Sequence, residues 1–451
     1  MEKRREFIKK AAIAAGGIAI GTKTFGFTAK SYNRIIGANE RINVAIIGLN
    51  GRGGSMCTTF AKQANCLVNV VCDVDSRTIP KTQKKVQDAS KLSEAPRGEG
   101  DVRKVMEDKT VDAIYIATPD HWHAPMTIMG CQAGKHVYVE KPVSHNPHEG
   151  ELAVHAARKY KRIVQMGAQR RSSPLAIQCV NELHGGIIGR VYLAKTWYTN
   201  TRKSNNFTPG KVPSWLNYDL WQGPAPRKPY LDGLIHYNWH WTWDYGTGEA
   251  LNNGTHEVDL ARWGLGVDLP TRVTSVGGRY QFKDDWQTPD TQIITMDYPG
   301  RVSLVWENRS SNGRKIEGSD RGVIFYGDNG SLDTDGEEYT LYDLNGKVVK
   351  QIKKEGAAAD AGLDGRNTAS PSLGLDSLHV ANFLDCIRDN KTPNCDVELG
   401  HKSVLAMQLG NISWRLGRDL HLDPKNGHIL NDAEALKLWT RTYAPGWVPK
   451  V

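Results

Sequence analysis

The chain predicts an α/β protein in two parts, a doubly wound parallel sheet near the N-terminus and then an α+β unit on a mainly antiparallel open sheet. Three observations carry this. Between residues 41 and 167, short apolar runs alternate with helical stretches, the rhythm of strands joined by crossover helices. From residue 191 the apolar runs follow one another without helices between them. With 451 residues the chain also exceeds what one hydrophobic core usually organises.

In the first part, runs at 42–47, 67–72, 113–117, 136–139 and 163–166 read as buried parallel strands, because they are apolar throughout rather than alternating. Helices are expected at 55–63, 79–90, 124–133 and 148–160. The second part, 168–451, shows strand-like runs at 191–198, 273–282, 291–298, 302–308, 322–326 and 338–344. A Gly, Ala, Asp and Ser-rich loop at 355–370 precedes two helices, at 377–389 and 400–417. The segment 200–247 reads as a long loop crowded with aromatics, and a loop of that length inside a compact chain is usually functional.

The first thirty residues stand apart. Lys3, Arg4, Arg5, Lys9 and Lys10 precede an uncharged, Gly-rich run at 11–22, too short for a permanent membrane anchor and suited to a signal peptide. Arg4-Arg5-Glu6-Phe7-Ile8-Lys9 resembles the bacterial twin-arginine signature, which implies export to the periplasm. Residues 1–30 hold seven basic residues against Glu2 and Glu6, so the net charge of +9 falls to about +4 without them. That excess forms no dense basic block and gives nucleic-acid binding little support. None of the seven cysteines has metal-site spacing, and no His, Asp and Glu cluster makes a metal site. Cys386 and Cys395, close in sequence near a helix end, are the one pair that oxidation could join.

The first strand runs into Gly48-Leu49-Asn50-Gly51-Arg52-Gly53-Gly54 and then a helix, the setting of a dinucleotide fingerprint and hence of a Rossmann domain. Gly48 permits the tight turn, Gly53 lets helix and strand approach, and the helix N-terminus faces the pyrophosphate. Asn50 stands where the second glycine belongs, with Gly51 beside it. The second strand ends in Asp73, whose carboxylate can bind ribose hydroxyls and repel a 2′-phosphate. NAD is therefore favoured, while Arg52 keeps NADP as a second candidate.

Ala117-Thr118-Pro119-Asp120-His121-Trp122-His123 follows the third apolar run, and Glu140-Lys141-Pro142 follows the fourth. Together these motifs resemble the Gfo/Idh/MocA oxidoreductase superfamily, as do Gly223-Pro224-Ala225-Pro226, Trp243-Asp244-Tyr245-Gly246 and Gly410-Asn411-Ile412. The resemblance implies that Thr118, Pro119, Asp120, His121, Trp122 and His123 line the nicotinamide ribose, and that Glu140-Lys141-Pro142 places Lys141 between cofactor and substrate. Gln169 completes the cofactor set. The family usually carries L-D-x-G-x-H, and here the run is Leu251-Asn252-Asn253-Gly254-Thr255-His256. His256 matches, but Asn252 replaces the carboxylate and cannot act as a base.

A nicotinamide-dependent oxidoreductase acting on a secondary alcohol of a sugar, glycoside or polyol is the leading expectation, with Lys141 and His256 catalytic. Tyr198, His236, Tyr237, His240 and Asn252 are the substrate candidates, the loop histidines and Tyr237 offering polar edges among aromatic faces that suit sugar rings. A tightly bound cofactor and a homo-oligomer are also expected. The rival enzyme class is the NAD-dependent glycosidases, which oxidise C3 transiently and eliminate the aglycone; in the family pattern they lack the lysine present here as Lys141. A noncatalytic sugar sensor would be expected to dispense with the function of Lys141 and His256.

Overall fold

The computed structural model describes residues 41–353 and 373–451. The signal-peptide reading and the 355–370 loop fall outside the described residues, and Ile42–Val451 form one compact unit. Among the described residues no helix is long and apolar enough to cross a membrane.

The chain opens with β1 (Ile42–Ile47), α1 (Arg52–Ala61), β2 (Cys66–Cys72), α2 (Thr78–Ser90), β3 (Arg97–Glu99), α3 (Val102–Glu107), β4 (Ala113–Ile116), α4 (Asp120–Gln132), β5 (His136–Val139), α5 (Pro147–Lys159) and β6 (Val164–Met166). The six strands form a parallel sheet in the order β3-β2-β1-β4-β5-β6. The order reverses between β1 and β4, and the crevice outside the strand ends at such a point is where doubly wound folds bind ligands. Edge strand β3 is short, charged and Gly-containing, so no apolar run announces it.

Helix α4 starts at Asp120, four residues before the predicted start. Pro125 argues for a later start, since its ring removes the N–H that would bond the His121 carbonyl. That carbonyl is instead taken by Arg441 Nη2 at 2.7 Å. A residue far along the chain thus satisfies the group that the proline orphans.

After α6 (Pro174–His184) come β7 (Val191–Thr199), a two-residue ladder of β8 (Thr208–Pro209) with β9 (Leu231–Asp232), and α7 (Tyr218–Gln222) between them. Helices α8 (Gly248–Asn252) and α9 (Gly254–Leu265) lead into β10 (Arg272–Gly278), β11 (Thr291–Tyr298), β12 (Val302–Arg309), β13 (Arg321–Gly327), β14 (Gly330–Thr334), β15 (Tyr339–Tyr342) and β16 (Val348–Ile352). Then come α10 (Leu373–Asp389), α11 (Val397–Leu416), β17 (Leu420–His421) and α12 (Ala433–Leu436). The nine-stranded sheet runs β16-β15-β14-β13-β7-β12-β11-β10-β17, antiparallel except for the β7–β12 pair. Its inner face buries Leu304, Trp306, Ile294 and Phe325 against Leu260 of α9 and Val404 and Met407 of α11.

Helix α10 crosses back to the first sheet, where Val380, Phe383 and Leu384 pack with Val44, Ile46, Phe60, Tyr115 and Tyr138. Burying a side chain such as Phe383 contributes about 1.5–3 kcal/mol, so this late segment completes an early core. The cysteines are free thiols, Cys386 and Cys395 included, so the suggested pair does not form. Each is buried or nearly so, and burial raises their thiols, Cys57 to about 11 and Cys66 to about 12.

Candidate functional site

Gly48 adopts φ +83°, and a Cβ there would lie 2.6 Å from the Ala117 carbonyl oxygen. At Gly53 a Cβ would lie 1.7 Å from the Gly48 oxygen, so α1 reaches the strand end only without a side chain. Gly51, rather than Asn50, takes the left-handed conformation, at φ +54°, and the space a Cβ would occupy there is open. Gly51 also caps α1 without any side-chain bond, and the first turn carries no acid. Its amide donors are therefore available to a pyrophosphate.

Asp73 closes this end. Its carboxylate accepts from Leu49 N at 2.6 Å and from Asp75 N at 2.9 Å, which fixes it at the tip of β2 with lone pairs left for ribose hydroxyls. Burial pushes its carboxyl up, opposed by those two amides. The bare turn, the uncapped helix and this carboxylate fit a dinucleotide.

From this turn a cavity of about 1060 Å³ runs to the second sheet's helices. That is the upper end of small-molecule sites, roughly 300–1,000 Å³, as a dinucleotide plus a second small molecule requires. Asn50, Gly51, Arg52, Asp73, Thr118, Pro119, Asp120, Trp122, His123, Glu140 and Lys141 all line it, and so do His236, Tyr237, His240, Asn252 and His256.

In the same cavity, Lys141 Nζ donates to Asn252 Oδ1 at 3.1 Å and to the Asn252 carbonyl. Burial lowers its ammonium, opposed by Asp120 and Glu140. His256 is 5% exposed and faces the cavity; burial and then Lys141 hold its imidazole well below the usual histidine range, so it is neutral at pH 7. Tyr237 carries Arg202 Nη1 on its hydroxyl at 2.9 Å, and Arg202 is itself paired with Glu249. His240 Nδ1 sits 2.5 Å from the Tyr237 carbonyl, its ring stacked on Trp239 at 3.6 Å. Asp120 accepts from Thr247 Oγ1 at 2.5 Å. His123 lies between the carbonyls of Thr118 and Pro142, its ring nitrogens 2.8 and 2.6 Å from them.

Five sequence candidates occupy other places. His121 is fully buried outside the cavity wall, facing the carbonyls of Trp221 and Tyr245 at 3.0 and 3.3 Å. Arg52 edges the cavity, but its guanidinium is spent on Glu140 at 2.9 Å and on both oxygens of Asp376 at 2.6 and 2.7 Å, which withdraws it as a 2′-phosphate ligand. Gln169, with its amide oriented to satisfy both ends, accepts from Arg52 Nη2 at 2.6 Å behind the wall. Tyr198 lies one layer back, its hydroxyl accepting from Asn200 Nδ2 at 2.6 Å. His236 belongs to the ribose end, its Nε2 lying 2.8 Å from Asp75 Oδ2.

Glu140 turns its carboxylate into the sheet, against Arg52 and the Tyr115 hydroxyl; burial alone would raise it, yet these two hold it below the usual carboxylate range. Much of the aromatic loop proves structural. Tyr218, Trp221, Tyr230, Trp239 and Tyr245 form a small core of their own, and Trp241 stacks on Trp286 at 4.0 Å. Thr78, Lys81 and Lys85 of α2 line the cofactor end and were missed; their spacing on one face of the helix after Asp73 was the available signal.

Neutral buried histidines set a pH limit. Burial lowers His121 and His240 to about 3, and His136, His379 and His401 to about 4. Below pH ~6.5 the unfolded chain binds protons that the folded one excludes. Stability is thus fully present above that pH and falls as pH drops toward the folded values. The urea midpoint is expected to hold above about pH 7 and to decline from there to pH 5; a flat profile would contradict this account.

Residues 42–168 match the model described as "Oxidoreductase family, NAD-binding Rossmann fold", and 187–340 with 344–448 match "Oxidoreductase family, C-terminal alpha/beta domain", both of the Gfo/Idh/MocA group. The chain belongs to this family. Its first part is accordingly an NAD-binding Rossmann domain. A "Glycosyl hydrolase family 109 protein" of Saccharopolyspora erythraea is 28% identical over 51% of this chain and 55% of its own length, so this chain spans about half of that relative. The "scyllo-inositol 2-dehydrogenase (NAD(+))" of Bacillus subtilis is 23% identical over 73% of this chain and 82% of its own. Among solved structures, levoglucosan dehydrogenase in complex with NADH and levoglucosan matches the fold with a TM-score of 0.64 at 15% identity, over 84% of this chain and 99% of its own.

Proposed function

We propose that this oxidoreductase uses NAD to transfer hydride to or from a secondary alcohol of a sugar, glycoside or polyol. The observation that carries the reading is the convergence of Lys141 and His256 in one cavity with the glycine turn and Asp73. Bound NAD supplies the hydride acceptor at nicotinamide C4. Neutral His256 can accept the hydroxyl proton. Lys141 has three N–H donors, of which two are taken by Asn252, leaving the third for the substrate oxygen as charge develops there. Asn252 and Tyr237 then hold neighbouring hydroxyls. Asp73 favours NAD over NADP, a preference that the loss of Arg52 as a phosphate ligand strengthens.

The similarity to a family 109 glycosyl hydrolase supports a second reading, transient oxidation at C3 followed by loss of the aglycone. Lys141 favours net oxidoreduction. The deciding experiment is a screen of free sugars, inositols and nitrophenyl glycosides, following both NADH absorbance and nitrophenol. NADH formation on a sugar or polyol supports the first reading. Nitrophenol release without accumulated NADH supports the second, and no response with any substrate removes both.

We also propose export by the twin-arginine route to the periplasm, and assembly into a homo-oligomer whose mass in solution can be weighed by light scattering. Arg4→Lys together with Arg5→Lys is expected to strand the precursor in the cytoplasm, read by fractionation and immunoblotting. Undiminished periplasmic yield would point to another route.

A further inference from the structure

Segment 215–236 spans the cofactor end of the cavity and is fastened on the far side to the turn that follows Asp73. Two backbone bonds begin the attachment, Ser76 N to Trp215 O and Asn217 N to Val74 O, each 3.0 Å. Asp75, fully buried, is the knot. Its Oδ2 lies 2.8 Å from His236 Nε2, while Arg77 donates to Oδ1 at 2.9 Å and to Oδ2 at 2.7 Å. The Arg77 guanidinium also lies over the Trp215 ring, 3.3 Å from its centroid, and Trp215 stacks on His236 at 6.1 Å. Both ends of the segment are thus tied to four consecutive residues of the β2–α2 turn, Val74, Asp75, Ser76 and Arg77.

Between those ties the segment is stiffened by its own core, in which Leu216, Tyr218, Trp221, Tyr230 and Leu234 are buried and Val74 of the turn packs against them. It is not a loose loop. Leu220, Trp221, Ile235 and His236 line the same cavity as Asp73, Val74 and Thr78. A ligand whose ribose is held by Asp73 therefore borders on the segment.

We propose that segment 215–236 is a strap, knotted through Asp75, that retains the dinucleotide in the site from one turnover to the next. This rests on the nicotinamide reading above, which the test separates from the strap itself. The strap acts on release of the cofactor at its adenosine end, and neither Lys141 nor His256 belongs to it. Arg77 and Trp215 are absent from the cavity wall, so opening the knot through them leaves the chemical step in place.

The experiment compares wild type with Arg77→Ala plus Trp215→Ala, and with the milder Arg77→Lys. Each protein is loaded with NADH, passed through gel filtration and analysed by native mass spectrometry; release is then timed by displacement of NADH fluorescence with excess NAD. The wild type is expected to keep its nucleotide through filtration. The double variant should release it at least tenfold faster, with an unchanged single-turnover rate of hydride transfer and an intact melting transition, and Arg77→Lys should fall between. Equal release from wild type and double variant, with nucleotide bound in both, would overturn the strap. Faster release accompanied by an equal loss of single-turnover rate would also overturn it, because the segment would then be shaping the whole site. Failure of the wild type to bind either nucleotide would overturn the function reading as well.

Discussion

Turnover is expected to fall by about 10²-fold or more when either Lys141 or His256 is replaced by alanine, the usual loss for an acid–base or oxyanion partner. Both side chains line the cavity, whereas Asp73 is the carboxylate fixed at the tip of β2 for the ribose, so nucleotide affinity should change far less in His256→Ala than in Asp73→Ala. Steady-state kinetics with a nucleotide titration on each variant reads both quantities. Because burial and Lys141 depress the His256 imidazole, its protonation should not limit activity until the pH is well below the ordinary histidine range. Asn252→Asp adds a control. The new carboxylate would pair with Lys141 Nζ, now 3.1 Å from Oδ1, and should change substrate preference without replacing His256. Near-normal turnover in His256→Ala would refute the assignment and send the search for the base to Lys141, Tyr237 and His240.

Arg52→Ala is expected to destabilise the fold by about 3–5 kcal/mol, the usual cost of breaking a buried ion pair from one side. Arg52 is the shared partner of Glu140 and Asp376, whose side chains are 7% and 1% exposed. Removing it takes the shared guanidinium away from two buried carboxylates, and it removes the ion pair that joins α10 to the start of α1. The signature should be a lowered urea midpoint with the preference for NAD over NADP unchanged. A changed preference with unaltered stability would restore Arg52 as a phosphate ligand and deny it this structural part.

The same residue shows how far the sequence could be read. Gly48, Gly53 and Asp73 declare themselves because a strand, a bare turn and a strand-end carboxylate are defined by neighbours a few residues away. Arg52 stands in the same motif and looks equally suited to a phosphate. Its partners lie 88 and 324 residues further on, and nothing in the local pattern names them. The start of α4 has the same cause, since Arg441, 320 residues beyond His121, accepts the duty that Pro125 refuses.

Residue spacing alone determined the doubly wound sheet, the open antiparallel sheet and the nucleotide turn, because periodicity and backbone freedom are local properties, while the run ending in His256 was legible through its resemblance to the family motif. The tertiary structure decided which candidates face the cavity. It buried His121 against two carbonyls, set Gln169 and Tyr198 behind the wall, moved His236 to Asp75, and turned most of the aromatic loop into a core. A histidine or tryptophan serves equally well as ligand or as packing, and what selects between them is the set of groups that sheet closure brings within about 3–4 Å, the range of hydrogen bonds and packing contacts.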